Sequence, residues 1–232
     1  MLAKIISGAT IGLESVLVEV EVDIPNKGLP AFNIVGLPGK AIEEAKERVR
    51  SAIKNSGFRF PDHRITINLT PADLPKDGPV YDLPMALGIL VASGQLRVDL
   101  SKALVLGELS LDGSLRHTRG ILPLALLAKR KKYQTIFLPK DNAKEAAVIR
   151  GLKIYPKQTL AQLIFHFNKI EEIRPQKKIS FQELKSASDF EFDMGDIVGQ
   201  EQAKRALEIA SAGGHNVLMT GPPGAGNTML AR

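Results

Sequence analysis

Gly221-Pro-Pro-Gly-Ala-Gly-Asn-Thr228 has the spacing of a phosphate-binding loop, and its reading decides the fold of the C-terminal part of the chain. In a G-x-x-x-x-G-K-[ST] loop, glycines let successive backbone N–H groups turn inward around a phosphate. The lysine reaches the β- and γ-phosphates, and the Ser/Thr hydroxyl ligates Mg²⁺. Gly221, Gly224, Gly226 and Thr228 keep their places, with Pro222, Pro223 and Ala225 between them, but Asn227 stands where the lysine belongs. Its side chain is neutral and too short for the terminal phosphates. Only Met229 to Arg232 follow, and four residues cannot hold a helix by themselves. The expectation is a degenerate phosphate site.

Immediately upstream, residues 216–220 read as a strand feeding the loop, which is the context a phosphate loop requires. A helix is expected over residues 200–212. Between residues 171 and 193 the periodicity weakens and charges crowd in, including Arg174, Lys177 and Lys178, so this stretch reads as a linker. The organisation expected is therefore a first domain over 1–170, a linker over 171–193, and a second unit over 194–232.

Within the first domain, Val16, Val18, Val20, Val22 and Ile24 alternate with Leu17, Glu19, Glu21 and Asp23, the period of a half-buried strand. A second strand is expected over 30–35. From Ala41 the period changes: Ile42, Ala45, Val49, Ala52 and Ile53 form one helical stripe, with Glu44 and Arg48 placed to pair on the outer face. Ile65, Ile67 and Leu69 mark another strand, and Pro84 can open a helix carrying Met85, Leu87 and Leu90. Asp112-Gly113 is a turn signal between a strand over 104–110 and Leu115. An apolar helix from Ile121, a strand over 135–138, a helix near 141–150 and a last helix capped by Thr159 complete the reading. Antiparallel pieces first and helices between later strands give an α+β class.

The 232 residues carry a formal charge of +6, no cysteine and 5% aromatic residues. Disulfides and thiolate metal sites are excluded. No stretch approaches the roughly 18 apolar residues of a membrane span, and no signal peptide opens the chain, so a cytoplasmic location is expected. The positive balance favours polyanionic partners. The strongest local cluster is Lys129, Arg130, Lys131 and Lys132, read either as a solvated helix end or as a nucleic-acid phosphate contact joined by Arg150, Lys153 and Lys157. No aromatic-rich basic stretch offers a base-stacking platform. His63, His117, His166 and His215 lack metal-ligand spacing.

Asp196-Ile-Val-Gly-Gln200, Ala203-Lys-Arg-Ala-Leu-Glu-Ile-Ala210, Gly213-Gly-His-Asn-Val-Leu-Met and the glycine loop together resemble the opening of an AAA+ module. The resemblance is to the magnesium-chelatase-like ComM/YifB branch. Ile34-Val-Gly-Leu-Pro-Gly39, Leu69-Thr-Pro-Ala-Asp-Leu-Pro-Lys76, Tyr81-Asp-Leu-Pro84 and Gly107-Glu-Leu-Ser-Leu-Asp-Gly113 extend it through the first domain. It implies a hexameric ATPase acting on DNA in transformation, using ATP and Mg²⁺. It also implies that Ile197, Val198, Gly199 and Gln200 lie beside the adenine while residues 221–228 wrap the phosphates. A typical member continues through a Walker B pair, a sensor and an arginine finger. None is in this sequence, so an incomplete α/β P-loop fragment without ATPase activity is expected. The first domain is similar to the Lon-protease-like fold, shared with a ribosomal protein. Pro75-Lys-Asp-Gly-Pro79 matches the loop leading to Lon's serine, but Val80 stands at that serine's place and Leu122 at the lysine's. A Ser–Lys mechanism needs both groups, so proteolysis is not expected, and Lys76, Asp77 and Asp82 are read as fixing the loop and capping the next helix. The competing reading is a stand-alone module binding nucleic acid or an AAA+ partner.

Overall fold

Val18, Val20 and Val22 are fully buried, while Leu17, Glu19 and Glu21 between them are only half-buried. The alternation in strand β2 (Glu14–Asp23) thus turns one face into a core. The computed structural model describes residues 1–11, 14–25, 27–74, 76, 78–180, 183, 193–222 and 224–231. The chain divides into two compact units, Met1–Leu184 and Lys185–Arg232.

In the first unit, β1 (Leu2–Ile11) pairs antiparallel with β2, from Leu2↔Asp23 to Ile11↔Glu14. β4 (Arg64–Thr70) lies antiparallel on the other side of β2, and β3 (Ala31–Val35) adds in parallel, giving the order β1-β2-β4-β3. A second, parallel sheet has the order β5 (Ala103–Val105), β8 (Thr135–Pro139), β9 (Lys153–Lys157). A short hairpin joins β6 (Glu108–Leu109) to β7 (Leu115–Arg116), its turn held by the Asp112 carboxylate, which accepts the Ser114 N–H. The unit is a mixed α/β fold with parallel and antiparallel sheets.

Helix α1 (Lys40–Asn55) buries Ile42, Ala45, Val49, Ala52 and Ile53, the stripe its periodicity predicts. Helix α2 (Asp82–Ala92) is buried almost all round because nothing polar follows Asp82 in its sequence. It approaches the first sheet at Gly88, where a Cβ would lie 2.5 Å from Val22 Cγ2. Helix α3 (Ile121–Arg130) reaches β1 at Gly8, where a Cβ would lie 2.6 Å from Leu124 Cδ2. Helices α4 (Ala143–Ala146) and α5 (Leu160–Phe167) follow, and the Thr159 hydroxyl caps α5 by accepting the Gln162 N–H at 3.2 Å.

Several expectations change. The strand over 104–110 breaks at Gly107, whose N–H donates to Val80 and whose carbonyl accepts from Leu83, both at 3.0 Å. Its halves therefore serve different sheets. The helix near 141–150 shrinks to α4. β9 was not anticipated: five residues containing Pro156 give too short a pattern to read. Arg48 pairs with Asp82 rather than with Glu44. In the expected linker, Ile173 is 5% exposed, and the Gln176 N–H donates to Ile154 O on β9 at 2.8 Å.

In the second unit, helix α6 (Glu201–Gly213) forms as read, and a single turn, α7 (Asn227–Leu230), starts within the glycine loop, where no helix was expected. Residues 216–220 are not a strand: they find no ladder partner among the described residues, and a strand without one leaves its backbone groups unpaired. Val198 and Leu218 are 96% and 90% exposed. Among the described residues no helix is long and apolar enough to cross a membrane.

Candidate functional site

The described residues of the glycine loop turn sharply, and Asn227 stands where a phosphate loop has its lysine. Gly224 and Gly226 both take left-handed conformations, φ 86° and 87°, flanking Ala225. Such alternation turns N–H groups towards one side. One of those groups is already used, since the Ala225 N–H donates to Pro222 O at 3.1 Å. The Asn227 amide folds back onto the loop: a Cβ on Gly221 would lie 3.3 Å from its Nδ2. Thr228 is exposed, and Pro223 lies outside the described residues.

Of Ile197, Val198, Gly199 and Gln200, Gln200 reaches the loop, its amide donating to Ala225 O at 3.1 Å, while Val198 is exposed. Gly199 and Gln200 are left-handed, φ 72° and 59°, and turn the chain into α6. Lys204 donates to Ile197 O at 2.6 Å and sits 3.6 Å from Glu201. That ammonium is committed to backbone and carboxylate, so it does not stand in for the missing lysine. No lysine or arginine of residues 221–228 supplies a positive charge for Mg²⁺-ATP.

In the first unit, Lys129, Arg130, Lys131 and Lys132 are all exposed at the C-terminal end of α3. The helix end is closed by backbone: Tyr133 N–H donates to Ala128 O at 3.0 Å and Lys132 N–H to Lys129 O at 3.1 Å, with Lys132 left-handed. The side chains are therefore not needed as caps. Glu14 borders the same hollow as Arg130 and Lys131. The fold brings further cations to this end of the parallel sheet. Gln134 N–H donates to Lys102 O at 3.1 Å, and Lys153 N–H to Gln134 O at 2.9 Å, placing Lys102 and Lys153 beside the start of β8. Lys157 pairs with Pro139 at the other end of β9 and is nearly buried, so it does not join the cluster. Lys102 had no signal in the sequence, since only strand pairing brings it here.

A cleft of about 520 Å³ opens beside Gly78, Pro79 and Val80, bordered by Glu108, His117, Thr118 and Arg119. Neither Val80 nor Leu122 supplies a nucleophile or base. Pro75 and Asp77 of the adjoining loop lie outside the described residues. Lys76 is 1% exposed and donates to the carbonyls of Gly36, at 3.1 Å, and Pro71. Burial pushes its ammonium below the ordinary lysine value. Asp82 caps no helix. It accepts Arg48 Nε at 2.7 Å and Nη2 at 3.1 Å, and the Leu109 N–H at 3.2 Å. Lys76 ties together two backbone segments, and Asp82 ties α1 to β6.

Comparison with known proteins shows the class: the chain is magnesium-chelatase-like. The family model "Subunit ChlI of Mg-chelatase" matches residues 18–142, and "Magnesium chelatase, subunit ChlI" matches residues 193–232. Competence protein ComM of Haemophilus influenzae is 45% identical over 235 residues, covering 99% of this chain and 45% of that protein. YifB of Escherichia coli K12 is 43% identical, covering 96% of this chain and 43% of its own length. The chain belongs to the ComM/YifB family of magnesium-chelatase-like proteins. It spans less than half the length of these relatives. More distantly, Lon protease of Leptospira interrogans is 30% identical over 181 residues, covering 73% of this chain and 20% of that enzyme.

Proposed function

We propose that this chain carries the accessory domain and opening P-loop segment of a ComM-type AAA+ protein that processes DNA in the cytoplasm, and that its own loop does not support ATP hydrolysis. The first unit is read as Lon-protease-like in fold and without protease activity. The name of the Haemophilus relative, a competence protein, supports the link to transformation. Asn227 carries the second half of the reading. Hydrolysis needs a cation on the transferring phosphate, and the loop offers a short amide folded onto Gly221 instead. Calorimetry with Mg²⁺-ATP on the natural chain, beside Asn227→Lys, tests this. No saturable heat is expected from the natural chain. Binding gained by Asn227→Lys would lay the loss of nucleotide affinity on that residue alone, and Mg²⁺-ATP turnover by the natural chain in a phosphate-release assay would overturn the proposal.

A second reading is that the first unit binds nucleic acid itself. The observation favouring it is the exposed cluster of residues 129–132 with Lys102 and Lys153 at one end of the sheet. Contacts of this kind hold phosphates without reading sequence.

A further inference from the structure

Rings that lie far apart in the sequence meet on one face of the parallel sheet. Phe137 and Tyr155 are register partners on β8 and β9, stacked with centroids 5.3 Å apart and planes 25° from parallel. His166 lies 5.4 Å from the Tyr155 ring, and Phe167 meets Phe137 edge-on at 5.0 Å. The His166 Nδ1 accepts the Ile173 N–H at 3.0 Å, which fixes the imidazole plane. Tyr155, His166 and Phe167 are only half-buried, and with Lys102 they border an open cleft of about 260 Å³.

Two lysines stand at this cleft, facing Asp99 at the rim and Glu172 near His166. Strand alternation puts Lys153 on the same face of β9 as Tyr155, opposite Thr135, which also lines the cleft. Lys102 lines it directly. Asp99 is the acidic residue at the rim, and its carboxylate accepts the Ser101 N–H at 2.9 Å. The exposed run 129–132 leads straight into β8. Flat rings beside ammonium groups form the pairing that single strands need: a π-face for a base and cations for its phosphates. A duplex keeps its base faces stacked inside and can use only the cations.

We propose that this cleft stacks a base of a single-stranded nucleic acid on the Tyr155 face while Lys102 and Lys153 hold the flanking phosphates. The inference rests on the nucleic-acid reading of the first unit. It assigns to that reading a strand preference and a site that composition alone did not reveal.

The test is fluorescence anisotropy of the full chain, at one salt concentration, with three probes. These are a labelled deoxythymidine oligonucleotide of about a dozen nucleotides, within the usual range of single-strand sites, a strand of equal length carrying abasic positions, and a duplex. The intact strand is expected to bind about tenfold more tightly than the abasic one, the range that base–aromatic stacking supplies. Tyr155→Leu should bring the intact strand down to the abasic level, whereas Tyr155→Phe should keep the preference. Equal affinity for intact and abasic strands overturns the cleft and leaves the nucleic-acid reading standing. No binding of any probe overturns both. A preference that survives in Tyr155→Leu of normal circular dichroism overturns this cleft as the site. Should that variant fail to fold, equal affinity of the natural chain for intact and abasic strands still overturns the proposal.

Discussion

Asp82 is fully buried, and its carboxylate is gripped by the Arg48 guanidinium and the Leu109 N–H. Burial nevertheless pushes the carboxyl up to about 6, with Arg48 opposing the rise. The native value lies above the unfolded one, so this group's stabilising contribution is present in full below pH 3.8. It is lost as pH rises through about 6. The shift corresponds to about 3 kcal/mol. Urea midpoints between pH 4 and 7 should therefore show a falling component that vanishes in Asp82→Asn; an unchanged slope would dismiss Asp82 as its source. Removing the cation leaves the carboxylate buried alone, which costs about 3–5 kcal/mol. Arg48→Ala should fall at the lower end of that range at pH 7, because 22% of the Arg48 side chain remains in solvent. His166 shifts the other way. Burial, helped by Lys157, holds it below 6.5, and its Nδ1 must stay unprotonated to accept the Ile173 N–H. Its contribution is present above pH 6.5 and lost as pH falls through the lowered native value. An NMR titration should place its midpoint below 6.5, and a midpoint at or above that value would contradict the hydrogen bond.

At the scale of elements, α2 shows propensity and packing in opposition. An alanine at position 88 would stabilise an isolated helix by about 1 kcal/mol relative to glycine. Here its methyl would enter a space 2.5 Å from Val22 Cγ2 and 3.6 Å from Ile5 Cγ1. Overpacking of that kind costs about 1–3 kcal/mol, so after the propensity gain Gly88→Ala should lower stability by up to about 2 kcal/mol. In a Val22→Ala background the same change should become neutral or stabilising, a coupling that a double-mutant cycle in urea would measure. Additive effects would place the contact elsewhere. The same opposition explains what was legible in the sequence. The α1 stripe and the β2 alternation could be read because each buries one face. β1 could not, since Ser7, Gly8 and Ala9 are buried in succession where both its faces are covered. The glycine loop was legible as a contiguous pattern. The Arg48–Asp82 tie, 34 residues apart, and the rings gathered from 137 to 167 leave no local period to find. The strand expected at 216–220 failed for a complementary reason: its apolar run was clear, but a run does not supply its own ladder.

For the whole molecule, the question is where the surplus charge of +6 acts. If the run 129–132 contacts phosphates, each neutralised contact releases counterions, and affinity falls with salt by a slope of about 0.7 per phosphate on single strands. Changing all four residues to alanine should then flatten the plot of log affinity against log salt by up to about 3. The loss should be uniform across oligonucleotide sequences, because phosphate contacts carry no sequence information. The fold should tolerate the change, since the end of α3 is closed by its own backbone hydrogen bonds. Only the favourable alignment of cations with the helix dipole is forfeited, about 0.3–1 kcal/mol per charge at most. Asn227→Lys is the matching control, for it adds one positive charge in the other unit. A local site leaves the slope of that variant unchanged, whereas binding driven by net charge alone raises it. An unchanged slope after the fourfold substitution would assign residues 129–132 to a solvated helix end and move any nucleic-acid contact to Lys102, Lys153 and the aromatic cleft between them.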